Sequence, residues 1–472
     1  MSIISTIKSF PRQFWLLNSI QTIERLAYWI VLLQMPVYIA QKDLDGGLHW
    51  EQAIKGLIFF WWALVQNISP VLMGGFADKF GRKKIMFITS LLIISGFLLL
   101  SNFRTFEPFL FSTLLLGLGM GIFKPALQGE VSKNIHHSNS TLGWGIYITF
   151  VNIAYFLGPS FSFYLKNISW SWIFYGSAII HSINLVLILL IKEEKHNNEK
   201  ISIQKIISDC IDILAKTFRN IVKPEIIIFL LLVTGFTLNH MQFYETLPNF
   251  VLDWSDTSEI AKYLPAFMLK ETARGTMIAF EWIYNINSTM LVLFVAFSSW
   301  LTRNRNLLRI CSLGVLFVAT GLFIAGNTMN GAVLVAGVFI LAIGEILITP
   351  RISEYFSSIA PAESRSQYLG YANLAWAIGL SGGGIVGGIL YQNLGEKSSF
   401  AIKHLASEFG IIDASHSTAI STLCLETGLS ETDVTQLLWD IYQPYHFWIP
   451  FFVVGILSSL GLIIYSKYQK NK

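Results

Sequence analysis

Long runs of apolar residues alternate with short polar connections along most of the chain. Each run approaches or exceeds the ~20 residues that an α-helix needs to cross the hydrocarbon core of a bilayer. The first run is too long and too polar to be a cleaved signal peptide. The pattern predicts twelve membrane-spanning helices, at about 13–41, 50–75, 85–102, 107–131, 141–165, 170–192, 225–252, 275–302, 306–327, 331–358, 366–392 and 446–466.

The spacing of these runs divides the chain into two sets of six. We predict an N-terminal six-helix bundle (1–192), a cytoplasmic linker (193–224) and a C-terminal six-helix bundle (225–472). Isoleucines recur between charged residues in the linker, which indicates an amphipathic helix lying on the membrane surface. A plain helical linker explains the same pattern equally well.

The last connection, 393–443, is an unusually long insertion. Its acidic residues outnumber its lysines, and Ser430 followed by Glu431 and Asp433 resembles the start of a helix. We interpret the insertion as an addition that the bundles tolerate without using it. A small lid or a binding surface for an extracytoplasmic partner are the alternatives.

Composition and charge place the chain in the membrane and give it an orientation. Of its residues, 53% are hydrophobic and 13% are charged, whereas about a quarter are charged in a soluble protein. An even number of spans puts both termini on one side, and the connections rich in Lys and Arg mark that side as cytoplasmic. The net charge of +4 follows from this asymmetry and indicates no nucleic-acid partner. We expect a multi-pass protein of the bacterial cytoplasmic (inner) membrane.

Enzymatic chemistry has no support in the sequence. Cys210, Cys311 and Cys424 are too scattered for a disulfide framework or a metal site. The chain carries no GxxxxGK[ST] loop, so coupling to ATP hydrolysis is not expected. It also carries no nucleophile–base arrangement. We therefore predict no catalytic residues, no metal and no enzymatic activity.

Charged residues inside the predicted spans are the strongest functional signal. Glu24 and Arg25 lie in the first span, Lys124 in the fourth and Glu345 in the tenth. Charges at this depth are costly unless they face a bundle interior or a water-filled cavity, so they mark sites of function. Glu24 lies ~16 Å into its helix and Lys124 ~10 Å from its cytoplasmic helix end, which puts the two at similar depth. A static ion pair and a lysine reaching for the surface are the alternatives to a transported solute.

The connection after the second span resembles the GxxxDxxGRxx loop of the major facilitator superfamily. It contains Gly74, Asp78, Gly81 and Arg82 at the required spacing. Glycine permits close helix approach, aspartate can lie at a helix N-terminus, and arginine can bridge helix ends, so we expect a cytoplasmic gate motif. A simple positive-inside cluster would not need the acid and the glycines. The counterpart at 299–305 lacks the acid. The resemblance implies an all-α membrane protein with the major facilitator fold.

Further segments resemble the proton-dependent oligopeptide transporter (POT) family within that superfamily. The span-one segment 21–29 resembles its ExxERFxYY signature, and Lys124 follows a glycine-rich segment and precedes a proline. Glu345 lies in a segment similar to the GExLxSP motif. Shorter similarities surround Asn152, Asn287 and Glu245. The sequence also departs from the family, since Gln21 replaces the first signature glutamate and Leu32 stands where a second arginine is common.

This resemblance implies a proton-coupled symporter that imports di- or tripeptides, or peptide-like amphoteric solutes, by alternating access. The proton is the coupling ion, no other cofactor is expected, and the partners are the small substrate and the lipid bilayer. Arg25 and Lys124 would attract the substrate carboxylate, Glu345 would receive its amino group or a proton, and Glu24 would hold Lys124 when substrate is absent. The implied substrate-binding residues are Arg25, Tyr28, Trp29, Lys124, Asn152, Asn287 and Glu345. The implied proton-coupling residues are Glu24, Lys124, Glu245 and Glu345.

Two other functions remain open from the residues. One is a proton-antiporting exporter of drugs or metallophore-like metabolites, which the abundant aromatic residues would suit. The other is a non-transporting receptor that uses 393–443 to bind a partner. His181 and His240 are isolated, and we interpret them as packing residues. An asparagine in a span is also more often a helix-packing residue than a ligand contact.

Overall fold

The fold is taken from a computed structural model. It describes residues 7, 9–42, 44–135, 140–192, 208, 211–212, 215, 219–220, 222–302, 304–361 and 365–470, and only the backbone of 74–76, 78–79, 140–141, 296, 365–367 and 369. The predicted linker 193–224 lies largely outside the described residues, so its amphipathic helix remains a prediction.

The first half of the chain forms six long helices at the positions of the first six predicted spans. Apolar runs become helices because a helix satisfies its own backbone hydrogen bonds where water is absent. The helices are α1 (Arg12–Ala40), α2 (Gln52–Phe80), α3 (Arg82–Asn102), α4 (Phe106–Lys133), α5 (Ser140–Ile168) and α6 (Trp170–Leu189).

The second half adds six more long helices together with several short elements. The long helices are α7 (Pro224–Glu245), α10 (Phe280–Thr302), α11 (Leu307–Gly326), α12 (Gly331–Ile359), α13 (Arg365–Leu394) and α17 (Ile449–Lys470). The short helices are α8 (Leu247–Trp254), α9 (Ser258–Ala261), α14 (Lys397–Phe409), α15 (Ala419–Thr427) and α16 (Glu431–Tyr442), with 3₁₀ turns at Ala266–Met268 and Pro444–Trp448.

The protein is thus mainly helical, as expected. Within the described residues, eleven helical segments are long and apolar enough to cross a membrane. The helix α10 occupies the position of the predicted eighth span. The count of twelve spans and the cytoplasmic placement of both termini remain predictions.

Two details differ from the sequence-based expectation. The predicted seventh span, 225–252, is interrupted at Thr246, and α8 begins there with Pro248 in its first turn. Proline lacks the N–H that a continuous helix needs but is well suited to a first turn. Residues 275–278, predicted to be helical, form β2 (Gly275–Ile278), which pairs antiparallel with β1 (Leu269–Thr272). Such a short apolar run does not distinguish strand from helix.

The insertion 393–443 folds into α14, α15 and α16. The predicted helix start at Ser430 is confirmed, because the Ser430 side chain accepts a hydrogen bond from the Asp433 N–H at 3.2 Å. Gly410 and Gly428 end α14 and α15 in the left-handed conformation, which glycine adopts without steric cost.

The chain divides into two compact units. Unit 1 comprises Met1–Val31, Trp61–Leu231 and Tyr355–Ala377, and unit 2 comprises Leu32–Phe60, Leu232–Glu354 and Ile378–Lys472. Each unit contains segments from both halves of the sequence. In unit 2, α2 approaches α13 so closely that a Cβ atom on Gly388 would lie 2.3 Å from the Gln52 carbonyl oxygen. Glycine is required here because no other residue allows two backbones to come this near.

Candidate functional site

A bidentate ion pair lies in α1, within unit 1. Arg25 donates from Nε and Nη2 to the two carboxylate oxygens of Glu24, each at 2.5 Å. The Glu24 side chain is 1% exposed and that of Arg25 is 12% exposed. Charge-assisted, two-point hydrogen bonding is what allows such charges to remain buried.

An aromatic ring packs against the guanidinium, and a second aromatic residue follows it on α1. The Tyr28 ring centroid lies 4.6 Å from Arg25 Cζ, a cation–π distance, and 6.0 Å from the ring of Trp62 on α2. Trp29 lies 4.3 Å from Tyr155 of α5, ring to ring. Tyr28 therefore lies against Arg25, and both aromatic residues predicted to bind substrate link α1 to its neighbours.

Lys124 lies in α4 with an exposed side chain. Glu24 and Arg25 are the charged groups that act on it electrostatically, so the structure brings the three predicted charges of unit 1 together. The expected ion pair between Glu24 and Lys124 is not formed in this structure. Arg25 occupies both carboxylate oxygens instead, because its planar fork fits them better than an ammonium does. Among the described residues Lys124 has no ion-pair partner.

Other polar side chains of unit 1 lie on α1, α5 and α6. Tyr147 donates its hydroxyl to Gln21 Oε1 at 2.9 Å, so the residue that replaces the signature glutamate is held by α5. Asn152 is half-buried on the same helix. His181 is fully buried with its ring 5.8 Å from that of Phe123, which agrees with its interpretation as a packing residue.

A second polar cluster lies in unit 2 around Glu345. Asn287 Nδ2 donates to Glu345 Oε2 at 2.9 Å, and His240 Nδ1 lies 3.8 Å from Oε1. All three side chains are buried. Interpreting His240 as a packing residue missed this contact, because nothing in the spacing of α7 and α12 pairs them. A buried carboxylate beside an imidazole and an amide can hold a proton or exchange it with a ligand.

Glu245, the remaining predicted proton-coupling residue, forms an ion pair that the sequence did not reveal. Lys55 Nζ lies 2.9 Å from Glu245 Oε1, and both side chains are completely buried. Lys55 also donates to the Glu245 carbonyl oxygen at 2.9 Å, and Thr246 donates to Glu245 Oε2 at 2.5 Å. Lys55 lies near the start of a predicted span, where lysines are common, so its position in the sequence does not indicate a buried ion pair.

More buried polar contacts of unit 2 join the ends of α1 and α2 to the second half of the chain. Gln34 donates to Glu281 of α10 at 2.6 Å, and Gln52 donates to Glu396 at 3.2 Å. Together with Lys55 and Glu245, these contacts hold helices from both halves of the sequence against one another within this unit.

The motif loop is described in part. Gly81 has φ +88°, a conformation that favours glycine. Arg82 donates to the Gly129 carbonyl oxygen at 2.8 Å and lies 3.7 Å from Glu130, so it joins the start of α3 to the end of α4. Of Gly74 and Asp78 only the backbone is described, so the Asp78 side chain lies outside the described part of the structure.

In the second half, Arg351 of α12 makes the comparable link. It donates to Thr302 Oγ1 at 2.5 Å and to the Ser299 carbonyl oxygen at 3.3 Å, both at the end of α10. Its other partner is Glu354, one turn further along α12. The connection that lacks the acid of the motif is thus also fastened by an arginine.

Comparisons with known proteins place the chain among transporters. The model of the Major Facilitator Superfamily matches residues 17–402. The multidrug resistance protein MdtH of Yersinia enterocolitica is 21% identical over 399 residues, 83% of this chain and 89% of that protein.

Solved structures of POT family transporters share the fold. One, in complex with a thioalcohol conjugated peptide, superimposes with a TM-score of 0.69 at 16% identity and covers 98% of this chain and 99% of that chain. Another, in complex with 5-aminolevulinic acid, gives a TM-score of 0.68 at 18% identity, with 97% and 96% coverage. The family resemblance expected from the motifs is therefore matched at the level of the fold.

Proposed function

Because the chain belongs to the major facilitator superfamily, we propose that it is a proton-coupled secondary transporter that imports di- or tripeptides, or peptide-like amphoteric solutes, by alternating access. The observation that carries this proposal is that the chain supplies both a cationic cluster, Arg25 and Lys124 in unit 1, and a buried carboxylate, Glu345 in unit 2. An amphoteric solute needs one group of each kind. The ligands named for the two POT structures, a peptide conjugate and an amino acid, are of this chemical class.

The carboxylate of the substrate would bind at Lys124. This lysine is exposed and, among the described residues, makes no ion pair that a substrate would have to break. Arg25 is held by Glu24, so a second carboxylate would compete for its guanidinium and loosen the pair. Tyr28, Trp29 and Asn152 would contact the remainder of the solute.

The amino group or the proton would bind at Glu345. Asn287 holds one carboxylate oxygen and His240 approaches the other, so the carboxyl can be stabilised in either protonation state. Protonation removes a buried charge that is costly in the membrane interior. An inward proton then contributes ~2.3 kcal/mol per 100 mV to substrate accumulation.

Alternating access needs a contact that breaks when the cavity opens outward, and we assign this role to Lys55 and Glu245. They join α2 to α7, one helix from each predicted bundle. Protonation of Glu245 would leave Lys55 without its counter-charge, and a buried ion pair that loses one charge is strongly destabilised. The proton would thereby favour separation of the two helices.

Uptake into liposomes tests the proposal. The purified protein is reconstituted, and entry of a labelled dipeptide is followed with the lumen made alkaline relative to the bath. We expect accumulation that a protonophore abolishes. Uptake that is the same with and without the gradient would reject proton coupling, and absence of any dipeptide uptake by folded protein would reject the substrate class.

Export is the second candidate, and the similarity to the multidrug resistance protein MdtH favours it. Thermal unfolding in detergent separates the two functions. If dipeptides raise the melting temperature and displace cationic drugs from the protein, import of amphoteric solutes is supported. If drugs alone stabilise it, the exporter is preferred.

A further inference from the structure

Two connections on the side that the charge pattern places outside the cell fold together. We call residues 255–279 and 395–443 the cap. We propose that the cap locks the Lys55–Glu245 contact in its closed state through a continuous relay of buried polar side chains. The inference rests on the proposed function only in taking the separation of α2 and α7 as the opening step.

The relay starts at the ion pair. Lys55 Nζ approaches Asn249 Oδ1 at 3.5 Å, and Asn249 Nδ2 donates to Gln41 Oε1 at 3.2 Å. Gln41 in turn donates from Nε2 to Asp253 Oδ1 at 2.9 Å. Asn249 and Asp253 lie one turn apart on α8, so this short helix carries the connection away from Glu245.

Asp253 then connects the relay to the end of α13 and to the cap. Its Oδ2 accepts a hydrogen bond from the Tyr391 hydroxyl at 2.7 Å and lies 3.5 Å from the Lys397 backbone nitrogen. The Tyr391 ring is also 5.7 Å from Lys55 Nζ, so it contacts both ends of the relay. Trp254 donates to the Gly395 carbonyl oxygen at 2.7 Å, which fastens α8 to the cap at a second point.

A charged group joins the two parts of the cap. Glu431 of α16 lies 3.6 Å from Lys397 Nζ and 4.0 Å from Arg274 Nε. Lys397 is 1% exposed, and Arg274 donates to the Leu252 carbonyl oxygen at 2.5 Å. The hairpin segment, the insertion and α8 are therefore tied together around one carboxylate.

The start of α2 is bonded to the same region. Gln52 donates to Glu396 at 3.2 Å, and the Ala53 N–H donates to Gln392 Oε1 at 3.0 Å. Moving α2 away from α7 would break these bonds together with the ion pair. A buried polar network is satisfied as a whole, and each group that loses its partner bears the cost of desolvation.

In this proposal the insertion has a role beyond the tolerated addition expected from the sequence. The relay gives the closed state contacts that an open state lacks. Weakening the relay should therefore shift the population toward the outward-open state without changing the residues that would bind substrate.

A cysteine reporter tests the lock without measuring transport. Ile58, one turn after Lys55 on α2, is fully buried. Ile58→Cys is introduced after Cys210, Cys311 and Cys424 are replaced, and its labelling by a membrane-impermeant maleimide is timed in intact cells. Tyr391→Phe removes one hydroxyl of the relay, and Glu431→Gln weakens the junction of the cap. Glu426→Gln, an exposed position on α15, is the matched control.

We expect both relay variants to label about three- to tenfold faster than the parent, the factor that corresponds to one net hydrogen bond. The control should label at the parental rate, and melting temperatures should stay close to the parental value for Tyr391→Phe, which keeps the ring. If Tyr391→Phe labels at the parental rate, the proposed lock is rejected, whatever the labelling rate of Glu431→Gln. Because the assay needs no substrate, failure of dipeptide uptake would refute the proposed function and leave this result standing.

Discussion

Lys55 Nζ and Glu245 Oε1 lie 2.9 Å apart, and neither side chain has any exposed surface. The two residues are 190 positions apart in the chain and belong to the first and second halves of the sequence. Removing both charges from water is expensive, and only close geometry with additional hydrogen bonds compensates for it. The Glu245 carbonyl and the Thr246 hydroxyl supply such bonds.

Removal of one partner of this pair should be far more harmful than removal of both. We expect Lys55→Met to lower the free energy of unfolding by about 3–5 kcal/mol, because Glu245 keeps a buried charge without its cation. The double variant Lys55→Met/Glu245→Gln should recover most of this loss. Thermal unfolding of the four proteins in detergent gives the coupling energy. Additive losses would show that the two side chains do not depend on each other.

Lys124→Ala should abolish gradient-driven dipeptide uptake, because it removes the cation proposed to bind the substrate carboxylate. The Glu24–Arg25 pair does not involve Lys124, so the melting temperature should change little. Lys133→Ala at the end of α4, where the side chain is 48% exposed, serves as the control and should transport like the parent. Full uptake by Lys124→Ala would remove this residue from the proposed site.

Glu345→Gln should separate binding from coupling. Glutamine can still accept the hydrogen bond from Asn287, but it cannot take up a proton. We expect accumulation driven by a pH gradient to fall to background, whereas exchange of labelled for unlabelled dipeptide persists. Glu225→Gln, at the exposed start of α7, should leave both measurements unchanged. Persistence of the accumulation in Glu345→Gln would place the coupling proton elsewhere.

Gly81→Ala should destabilise the junction between α2 and α3. The φ of +88° at Gly81 is unfavourable for a residue with a Cβ atom, and such strain costs about 1–3 kcal/mol. Gly145→Ala is the matched control, because a Cβ atom there meets nothing within 4 Å and alanine favours a helix. The melting temperature of Gly81→Ala should therefore fall clearly below that of Gly145→Ala. Equal shifts would indicate that the backbone at Gly81 tolerates a side chain.

Much of the architecture could be predicted because it is encoded locally. The apolar runs fixed the helix positions to within a few residues in α3, α4 and α11. Where local signals competed, prediction failed. Pro248 ended a run that hydropathy alone continued, and β2 (Gly275–Ile278) is too short for its pattern to separate strand from helix.

The sequence pointed to the charged residues of the two polar clusters but not to most of their contacts. Glu24, Arg25, Lys124 and Glu345 stand out in the sequence because a charged residue inside an apolar helix is costly unless it faces a bundle interior or a water-filled cavity. Their partners were not evident. Glu24 is bonded to Arg25 rather than to Lys124, and His240 lies beside Glu345.

The sequence by itself determined that this chain is a helical membrane protein with ionisable groups at membrane depth, since both properties depend on which residues follow one another. The tertiary structure alone decided that Lys55 neutralises Glu245 and that the insertion bonds to α8. Those contacts depend on how distant helices pack, and no periodicity along one helix specifies the residue that another helix will bring against it.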